Sequence, residues 1–524
     1  MRPAASRRTP LVSLHCLEKM LYQINTRVWL GERSQTLGRP ATLDDVTTDD
    51  LEAIRELGFS AIWWLGIWQT GPKSRRIART HPGLLSDYAH VLPEFTLDDV
   101  AGSPFAVAAY TVHADFGGDA ALARLRQRMR EVGLDLWLDF VPNHVGLDHD
   151  WVTTHPQYLV AGAADDVSKA PDNFLTLDSL PLESTDKAPR YVAHGRDPYF
   201  AGWTDTVQLN YRDAGLRQAM LTALQSIASR CDGVRCDMAM LLLPDVFQRT
   251  WGDLALPADG SPPVDDSFWA WAIPRVKAAH PGFRLMAEVY WNLEWELLQQ
   301  GFDFAYDKLL YDRLHTGDIA GIRGHLQADL AYQNRLVRFL ENHDEPRAAT
   351  TFPGPQHKAA ALLSWCVPGL VFLHEGQLEG RRTKLPIQLG RRPTEPVQAE
   401  LKEFYTRLLP LIADPLIERG QWSLLESRPA WDGNTSHAAL FALQWCHMGC
   451  EWLVTVNYAA HYSQGYITAP LGSDPQWQSA TEVDLIDQLS PTRYRRSVHE
   501  LCTRGLYLDL PPWGVHLFEI DRRM

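Results

Sequence analysis

The sequence predicts an α/β fold, a (β/α)8 TIM barrel with a small irregular domain inserted after strand 3 and a C-terminal all-β domain of the antiparallel sandwich type. Three observations support this prediction. Apolar strand-like segments alternate with helix-like segments over most of the chain. Polar side chains follow several of these strands, as expected at the functional face of a parallel barrel. The length of 524 residues suits a barrel with insertions and an additional module.

The first three βα units are predicted before residue 145. Residues 21–30, LYQINTRVWL, indicate strand 1, and apolar residues at helical spacing in 43–57 indicate the helix that follows it. Strand 2 is predicted at 61–65. A basic amphipathic helix at 120–132 then leads to strand 3 at 134–141.

The five later strands are predicted from the same pattern of apolar residues followed by polar ones. They lie within residues 231–240, 284–291, 302–312, 336–347 and 368–380, and an amphipathic helix at 401–412 completes the barrel. A βα unit occupies about 30 residues or more. The intervals between Asp237, Glu288 and Asp344 therefore place these carboxylates after strands 4, 5 and 7.

Two segments depart from the barrel pattern. Between residues 145 and 210 the periodicity disappears and Pro, Gly and Asp recur, which is typical of a functional insertion. After residue 412 the apolar runs shorten to strands separated by turn residues. We therefore predict an N-terminal extension at 1–19, a catalytic barrel at 20–144 and 211–412, an inserted domain at 145–210 and a C-terminal β domain at 413–524.

Composition limits the classes of function. The net charge of −14 argues against nucleic acid as a partner, because phosphate binding needs a basic face. No apolar run approaches the length of a membrane span, so no membrane partner is expected. Seven scattered cysteines suit reduced thiols and a cytoplasmic location. The 19 tryptophans include candidates for packing against the apolar faces of sugar rings.

The end of strand 4 carries the first candidate site. Arg235 and Asp237 alternate with apolar residues and share one face, which fits either a structural ion pair or a functional site. Equivalent polar residues follow strands 3, 5 and 7. They are Asp139, Asn143 and His144, then Glu288, then His343 and Asp344. Because the carboxyl ends of barrel strands converge, these side chains are predicted to share one pocket.

Four of these segments, DFVPNH, GVRCDMAM, AEVY and ENHDEPR, resemble the signature regions of the α-amylase family, glycoside hydrolase family 13, in order and spacing. Residues 58–68, 204–210 and 368–380 are similar to three further regions of that family. The resemblance implies a retaining α-glycoside hydrolase that acts on α-1,4-glucans or maltooligosaccharides. It assigns Asp237 as the nucleophile, Glu288 as the general acid/base and Asp344 as the stabiliser of the transition state.

The resemblance also implies a set of residues that hold the sugar. They are Arg235, His144, His343, Phe105, Asp139, Arg347 and Trp291. In this set Phe105 is expected to stack under the reacting sugar, and Asp139 is expected to pair with Arg235 from behind. No cofactor is required, although Asn143 matches a family position that often binds a structural calcium ion. The sequence MAMLLL after Asp237 departs from the Lys–His pair of many amylases and weakens that inference.

Two alternatives stay open at this stage. A transglycosidase, such as a 4-α-glucanotransferase or a disaccharide-forming or isomerising relative, uses the same carboxylates and replaces water by a sugar hydroxyl. A non-catalytic relative would keep the barrel as a binding or scaffold protein, but such relatives normally lose one of the three carboxylates. Product lengths separate the first alternative from hydrolysis, and substitution of Asp237 tests the second.

Overall fold

A closed parallel barrel forms the centre of the structure. The computed structural model describes residues 20–177, 190–257, 260–468 and 481–521, so the predicted extension at 1–19 lies outside the described residues. The strands are β1 (Met20–Asn25), β2 (Ala61–Leu65), β3 (Asp135–Phe140), β4 (Gly233–Cys236), β5 (Arg284–Ala287), β6 (Phe304–Tyr306), β7 (Leu336–Arg338) and β8 (Leu370–His374). Neighbours in this order pair in parallel and β8 closes on β1, which confirms the predicted barrel.

Large aromatic side chains fill the interior of the barrel. The strands are buried on both faces, as parallel strands covered by helices usually are. Trp63, Tyr306 and Phe372 are fully buried, with the ring centre of Phe372 5.9 Å from that of Trp63 and 6.1 Å from that of Tyr306. This aromatic layer supports the charged groups that follow the strands.

The predicted first strand is too long. The chain leaves β1 after Asn25, and residues Thr26–Leu37 form a helix instead of continuing to Leu30 as a strand. The physical cause is a helix cap, because the Asn25 side chain accepts a hydrogen bond from the Val28 backbone N–H at 3.3 Å. The predicted helix at 43–57 is also divided, into a short 3₁₀ turn at Leu43–Asp45 and a helix at Thr48–Glu56.

Helices surround the barrel strands on the outside. Those of eight residues or more that lie in the barrel connections are Thr26–Leu37, Thr48–Glu56, Pro72–Thr80, Pro82–Val91, Gly118–Glu131, Ala214–Arg230, Pro244–Trp251, Phe268–Ala279, Lys308–Thr316, Ile319–Leu326, Pro355–Trp365 and Ala399–Ile412. The buried faces of most of them join the interior of the strands in one continuous apolar core, whereas Ala78 and Tyr88 belong to a separate small cluster.

The insertion between β3 and β4 contains short strands that its sequence does not indicate. His144–Gly146 pairs antiparallel with Thr206–Gln208. Ala161–Gly162, Phe174–Leu177 and Arg190–Ala193 form a second small antiparallel sheet. The first pair begins at His144 and therefore fixes the insertion directly above the end of β3.

The C-terminal region confirms the predicted all-β domain. Its main sheet consists of Gln421–Leu425, Leu440–His447, Cys450–Asn457, Val515–Asp521, Glu482–Asp487 and Arg493–Ser497, in that spatial order. Ser427–Pro429, Ser463–Ile467 and Leu506–Leu510 form a second, three-stranded sheet. An apolar cluster joins side chains of both sheets. The Trp445 indole N–H donates to the Cys366 carbonyl at 2.8 Å and attaches this domain to the barrel.

No helix among the described residues combines the length and the apolar character that crossing a membrane requires.

Candidate active site

Arg235 connects two carboxylates at the ends of neighbouring strands. Its side chain is buried, with 1% of its surface exposed. One terminal nitrogen, Nη1, lies 2.5 Å from Asp237 Oδ1, and the other, Nη2, lies 2.7 Å from Glu288 Oε1. Because both nitrogens belong to one planar guanidinium, the two carboxyl groups are held close together in a fixed orientation.

Glu288 is the more deeply buried of the two carboxyl groups, with 2% of its side chain exposed against 7% for Asp237. Its carboxylate accepts hydrogen bonds from the Tyr290 hydroxyl at 3.0 Å and from the Met238 backbone N–H at 2.5 Å. Burial raises the pKa of Glu288 to about 7, against the opposing effect of the Arg235 guanidinium. Glu288 therefore keeps its proton in a substantial fraction of molecules near neutral pH.

The turn after Asp237 is built around a strained residue. Met238 has a φ angle of 43°, in the left-handed region that residues other than glycine rarely adopt. This conformation directs the Met238 N–H toward Glu288, while the next N–H, of Ala239, donates to the Glu288 carbonyl at 3.0 Å. The strained turn therefore ties the end of β4 to the end of β5.

Asp344 lies near the same Arg235 nitrogen that contacts Glu288 and is the most accessible of the three carboxylates. Its side chain is 45% exposed, and Oδ2 lies 3.0 Å from His343 Nε2 and 3.9 Å from Arg235 Nη2. Desolvation raises the pKa of this carboxyl, but His343 and Arg235 outweigh it and hold the pKa below its ordinary value. The other ring nitrogen of His343, Nδ1, is 2.9 Å from Gln23 Nε2, which fixes the ring.

All three carboxylates line one cavity of about 280 Å³ at the carboxyl ends of the strands. Phe105 and His144, two of the predicted sugar-binding residues, also line it. The Phe105 ring centre lies 5.4 Å from that of His343 and 5.1 Å from Arg235 Cζ. The structure thus brings residues from five separate connections to one site.

His144 contributes a neutral imidazole to this cavity. Its ring centre lies 5.1 Å from that of Trp203 in the insertion, at an interplanar angle of 57°. Burial lowers the pKa of His144, so the ring is uncharged at neutral pH. A neutral imidazole can still donate one hydrogen bond to a sugar hydroxyl.

The expected pairing of Asp139 with Arg235 is wrong. The Asp139 carboxylate instead accepts hydrogen bonds from the Trp63 indole N–H at 3.0 Å and from the Gly66 backbone N–H at 2.6 Å. Burial raises its pKa to about 6, against the effect of the Arg235 guanidinium. Asp139 therefore fastens the end of β3 to β2 beneath the cavity.

Arg347 and Trp291 lie outside the lining of the catalytic cavity. Arg347 is buried, with Nη1 2.7 Å from Glu341 Oε1 and Nη2 donating to the Glu375 carbonyl at 2.9 Å. Trp291 packs edge to face against Tyr199, with ring centres 5.1 Å apart. The structure therefore places neither residue against a sugar bound between the carboxylates.

The surroundings of Asn143 do not suit calcium. Its amide is buried and exchanges hydrogen bonds with Gln208, whose Nε2 donates to Asn143 Oδ1 at 3.0 Å and whose Oε1 accepts from Asn143 Nδ2 at 3.2 Å. A bound calcium ion is usually coordinated by about six to eight oxygen atoms. In the described ranges, no group of three or more His, Cys, Asp or Glu side chains is arranged to hold a metal ion.

Comparison with known proteins decides the family. The sequence matches the α-amylase catalytic domain over residues 41–385, about two thirds of the chain. This protein belongs to the α-amylase family. The α-amylase MalA of Haloarcula japonica is 23% identical over 373 residues, which cover 70% of this chain and 44% of that relative.

A second relative of this α-amylase family protein is named as a transferase. The α-1,4-glucan:maltose-1-phosphate maltosyltransferase of Burkholderia pseudomallei is 24% identical over 282 residues, 52% of this chain and 20% of the relative. The chain thus spans less than half the length of either curated relative.

Solved structures show the same fold over nearly the whole chain. The maltogenic α-amylase AmyB of Thermotoga neapolitana superposes with a TM-score of 0.64 at 17% identity, over 97% of this chain and 99% of that one. The α-amylase of Geobacillus thermoleovorans, determined in complex with acarbose, gives 0.62 at 17% identity, over 97% and 99%.

Several residues that line the catalytic cavity of this α-amylase family protein were not predicted from the sequence. They are Ser103, Trp203, Asp205, Thr206, Met238, Tyr290, Ile387 and Gln388. Tyr290 could have been found, because it follows Glu288 by two positions in the strand-end segment AEVYW. Trp203 and Asp205 lie in the insertion, where no periodicity indicates which side chains face the barrel.

Replacing Arg235 by alanine is expected to lower the free energy of unfolding by about 3–5 kcal/mol, because two carboxylates lose their shared buried cation. Arg235→Lys keeps the charge, but a single ammonium cannot hold both carboxylates in the same geometry, so we expect a smaller loss. Chemical denaturation followed by tryptophan fluorescence at pH 8 measures both variants. Equal stability of Arg235→Ala and the wild type would contradict this role.

Proposed function

We propose that this protein is a retaining α-glycoside hydrolase that acts on α-1,4-linked glucans or maltooligosaccharides. One observation carries the proposal: Asp237 and Glu288 are held at the two ends of one guanidinium and face the same cavity. Retaining enzymes need two carboxyl groups roughly 5 Å apart, one to attack the anomeric carbon and one to protonate the leaving oxygen. Membership of the α-amylase family supports this assignment.

In the first step Asp237 acts as the nucleophile. Its free carboxylate oxygen attacks the anomeric carbon and forms a glycosyl-aspartate ester, while the bond to the glycosidic oxygen breaks. Glu288 gives its proton to that oxygen, and the leaving sugar departs as an alcohol. Asp344, with Oδ2 3.9 Å from Arg235 Nη2, supplies negative charge beside the oxocarbenium-like transition state.

In the second step Glu288 acts as a base. It takes a proton from a water molecule whose oxygen attacks the anomeric carbon, and the ester bond to Asp237 breaks. The product sugar carries the configuration of the substrate, because the anomeric carbon has been inverted twice. The Tyr290 hydroxyl and the Met238 N–H hold the Glu288 carboxylate in place for both proton transfers.

Transfer to a sugar hydroxyl is the second candidate, and the similarity to a maltosyltransferase favours it. Incubation with maltotetraose distinguishes the two reactions. We expect only products shorter than the substrate and a rise in reducing ends, measured by chromatography and a reducing-sugar assay. Products longer than maltotetraose without a rise in reducing ends would show that the enzyme catalyses transglycosylation and not hydrolysis.

We propose that the reaction needs no bound metal ion, because the Asn143 amide is already engaged by Gln208. Treatment with excess EDTA followed by gel filtration is expected to leave both the rate on maltotetraose and the thermal midpoint unchanged. A fall in either quantity that calcium restores would contradict this expectation. We also propose a cytoplasmic location, which the buried thiols of Cys231, Cys236 and Cys366 support.

A further inference from the structure

The loop after β7 that carries Asp344 is closed at its base by a glutamate. Glu341 and Arg347 stand at the two ends of this loop, and Arg347 Nη1 lies 2.7 Å from Glu341 Oε1. The other carboxylate oxygen of Glu341, Oε2, accepts a hydrogen bond from the Ala348 backbone N–H at 2.5 Å. One carboxylate thus holds two successive residues at the far end of the loop. Residues 341–348 are hereafter called the closed loop.

Both partners of this pair are removed from solvent. The Glu341 side chain is 0% exposed and the Arg347 side chain is 5% exposed. Burial raises the pKa of Glu341 to about 7, against the opposing effect of the Arg347 guanidinium. Arg347 has a further partner, because its Nη2 donates to the Glu375 carbonyl at 2.9 Å. The pair therefore joins the two ends of the closed loop and attaches the loop to the end of β8.

Inside the closed loop, hydrogen bonds fix the backbone that carries Asp344. The buried Asn342 side chain accepts, through Oδ1, from the backbone N–H groups of Asp344 and Glu345 at 2.8 and 2.9 Å. The Asp344 carbonyl accepts a hydrogen bond from the Lys384 ammonium, and Glu345 Oε1 lies 3.4 Å from Lys308 Nζ. The backbone position of Asp344 therefore depends on its own loop and on the connections after β6 and β8.

The closed loop also carries His343, which contacts the Asp344 carboxylate. His343 Nε2 lies 3.0 Å from Asp344 Oδ2, and Arg235 Nη2 lies 3.9 Å from the same oxygen. The His343 ring is itself held by the core, with Nδ1 2.9 Å from Gln23 Nε2 and an edge-to-face contact with Trp63 at 5.6 Å between ring centres. A shift of the closed loop would move Asp344 and His343 together, away from these fixed partners.

A buried ion pair can have either of two roles. It can stabilise the fold alone, and in that role it is often replaceable by apolar residues at little cost. It can also fix the geometry of groups that act on the substrate. Asp344 lines the catalytic cavity, whereas Glu341 and Arg347 do not. An effect of this pair on the reaction must therefore pass through the closed loop.

We propose that Glu341 and Arg347 are positioning residues of the reaction, which close the loop and thereby hold Asp344 and His343 where the transition state requires them. This inference rests on the proposed function, in which Asp344 stabilises the oxocarbenium-like charge. Such stabilisation depends on groups that are held in place before the reaction. A displacement of about 1 Å can lower the rate roughly 100-fold. Loosening of the closed loop should therefore lower kcat more than it raises KM.

The variant Glu341→Gln tests this role, because glutamine has nearly the same shape but cannot form an ion pair with Arg347. Turnover is measured with maltotetraose. The fraction of molecules that 5-fluoro-α-glucosyl fluoride labels, determined by intact mass, gives the concentration of folded sites. We expect kcat per labelled site to fall by about 10–100-fold and KM to change by less than about threefold.

Asp307→Asn is the matched control, because it removes a carboxylate from a second buried arginine pair. Asp307 follows β6 and pairs with Arg338, with side chains that are 1% and 0% exposed, and it does not line the catalytic cavity. We expect both variants to lower the thermal midpoint and only Glu341→Gln to lower kcat per labelled site. An equal fall in kcat for Asp307→Asn would assign the effect to general loosening of the barrel and overturn the proposal.

Arg347→Lys provides a second measurement that does not depend on the folding of Glu341→Gln. Lysine keeps the charge, but one ammonium cannot bind Glu341 and the Glu375 carbonyl in the geometry of the guanidinium. We expect kcat per labelled site to fall here as well. Wild-type kcat per labelled site in both variants would overturn the positioning role and leave the proposed function intact. Absence of both labelling and turnover in the wild type would overturn both.

Discussion

The variant Asp237→Asn is expected to lower kcat/KM on the best α-glucoside by at least about 10⁴-fold, because the amide oxygen is a poor nucleophile and no glycosyl ester can form. Initial rates by chromatography measure this loss. A slow substrate such as 5-fluoro-α-glucosyl fluoride adds a direct test. The wild type should gain the mass of one fluoroglucosyl group on the peptide that contains Asp237, and the variant should not.

The control for this loss is Asp115→Asn, which removes a carboxylate that is 61% exposed and lies away from the catalytic cavity. It should react at the wild-type rate. Undiminished turnover by Asp237→Asn on every substrate that the wild type uses would reject Asp237 as the nucleophile. Absence of turnover by the wild type on all α-glucosides would favour a non-catalytic carbohydrate-binding or scaffold protein.

The second large effect is expected from Glu288→Gln. On maltooligosaccharides, whose leaving oxygen needs a proton, kcat/KM should fall by about 10²–10⁴-fold. On α-glucosyl fluoride the first step should be much less affected, because fluoride leaves without full protonation. Comparison of the two substrates separates a general acid from a residue that only maintains the structure. Equal losses on both would contradict the assignment.

The pH profile of the wild type gives an independent measure of the same group. Burial raises the pKa of Glu288 to about 7, and the first step needs its protonated form. kcat/KM should therefore fall as the pH rises through about 7, by roughly tenfold per unit at higher pH. In Glu288→Gln this alkaline decline should disappear, since glutamine does not titrate. An unchanged decline in the variant would assign the titration to another group.

The barrel could be predicted because each strand has a recognisable local pattern of apolar residues followed by polar ones in the sequence. An apolar run indicates the strand, and the Asp237, Glu288 or Asp344 that follows it indicates the functional face of the barrel at the carboxyl end of that strand. The end of β1 was missed because Asn25 caps a helix whose residues, TRVWL, have the composition of a strand. Local propensity was overridden there by one side-chain hydrogen bond.

Other errors concern partners that are distant along the chain. Asp139 was expected to meet Arg235, and the structure pairs it with Trp63 and Gly66 from the neighbouring strand. Arg347 was expected at a subsite next to the catalytic one; the structure pairs it with Glu341, in a second cavity that His343 also lines. Which of several nearby partners a charged side chain binds depends on packing in three dimensions, which the residue pattern does not encode.

The shared guanidinium gives the two carboxyl groups a common electrostatic state. While Asp237 is an anion, its charge raises the pKa of Glu288 and favours the proton donor. In the proposed mechanism Asp237 then becomes an uncharged ester, so that this repulsion is lost while Arg235 still attracts Glu288. The proton affinity of Glu288 then falls when a base is required. In that mechanism each step shifts the proton affinity of Glu288 toward the value that the next step needs.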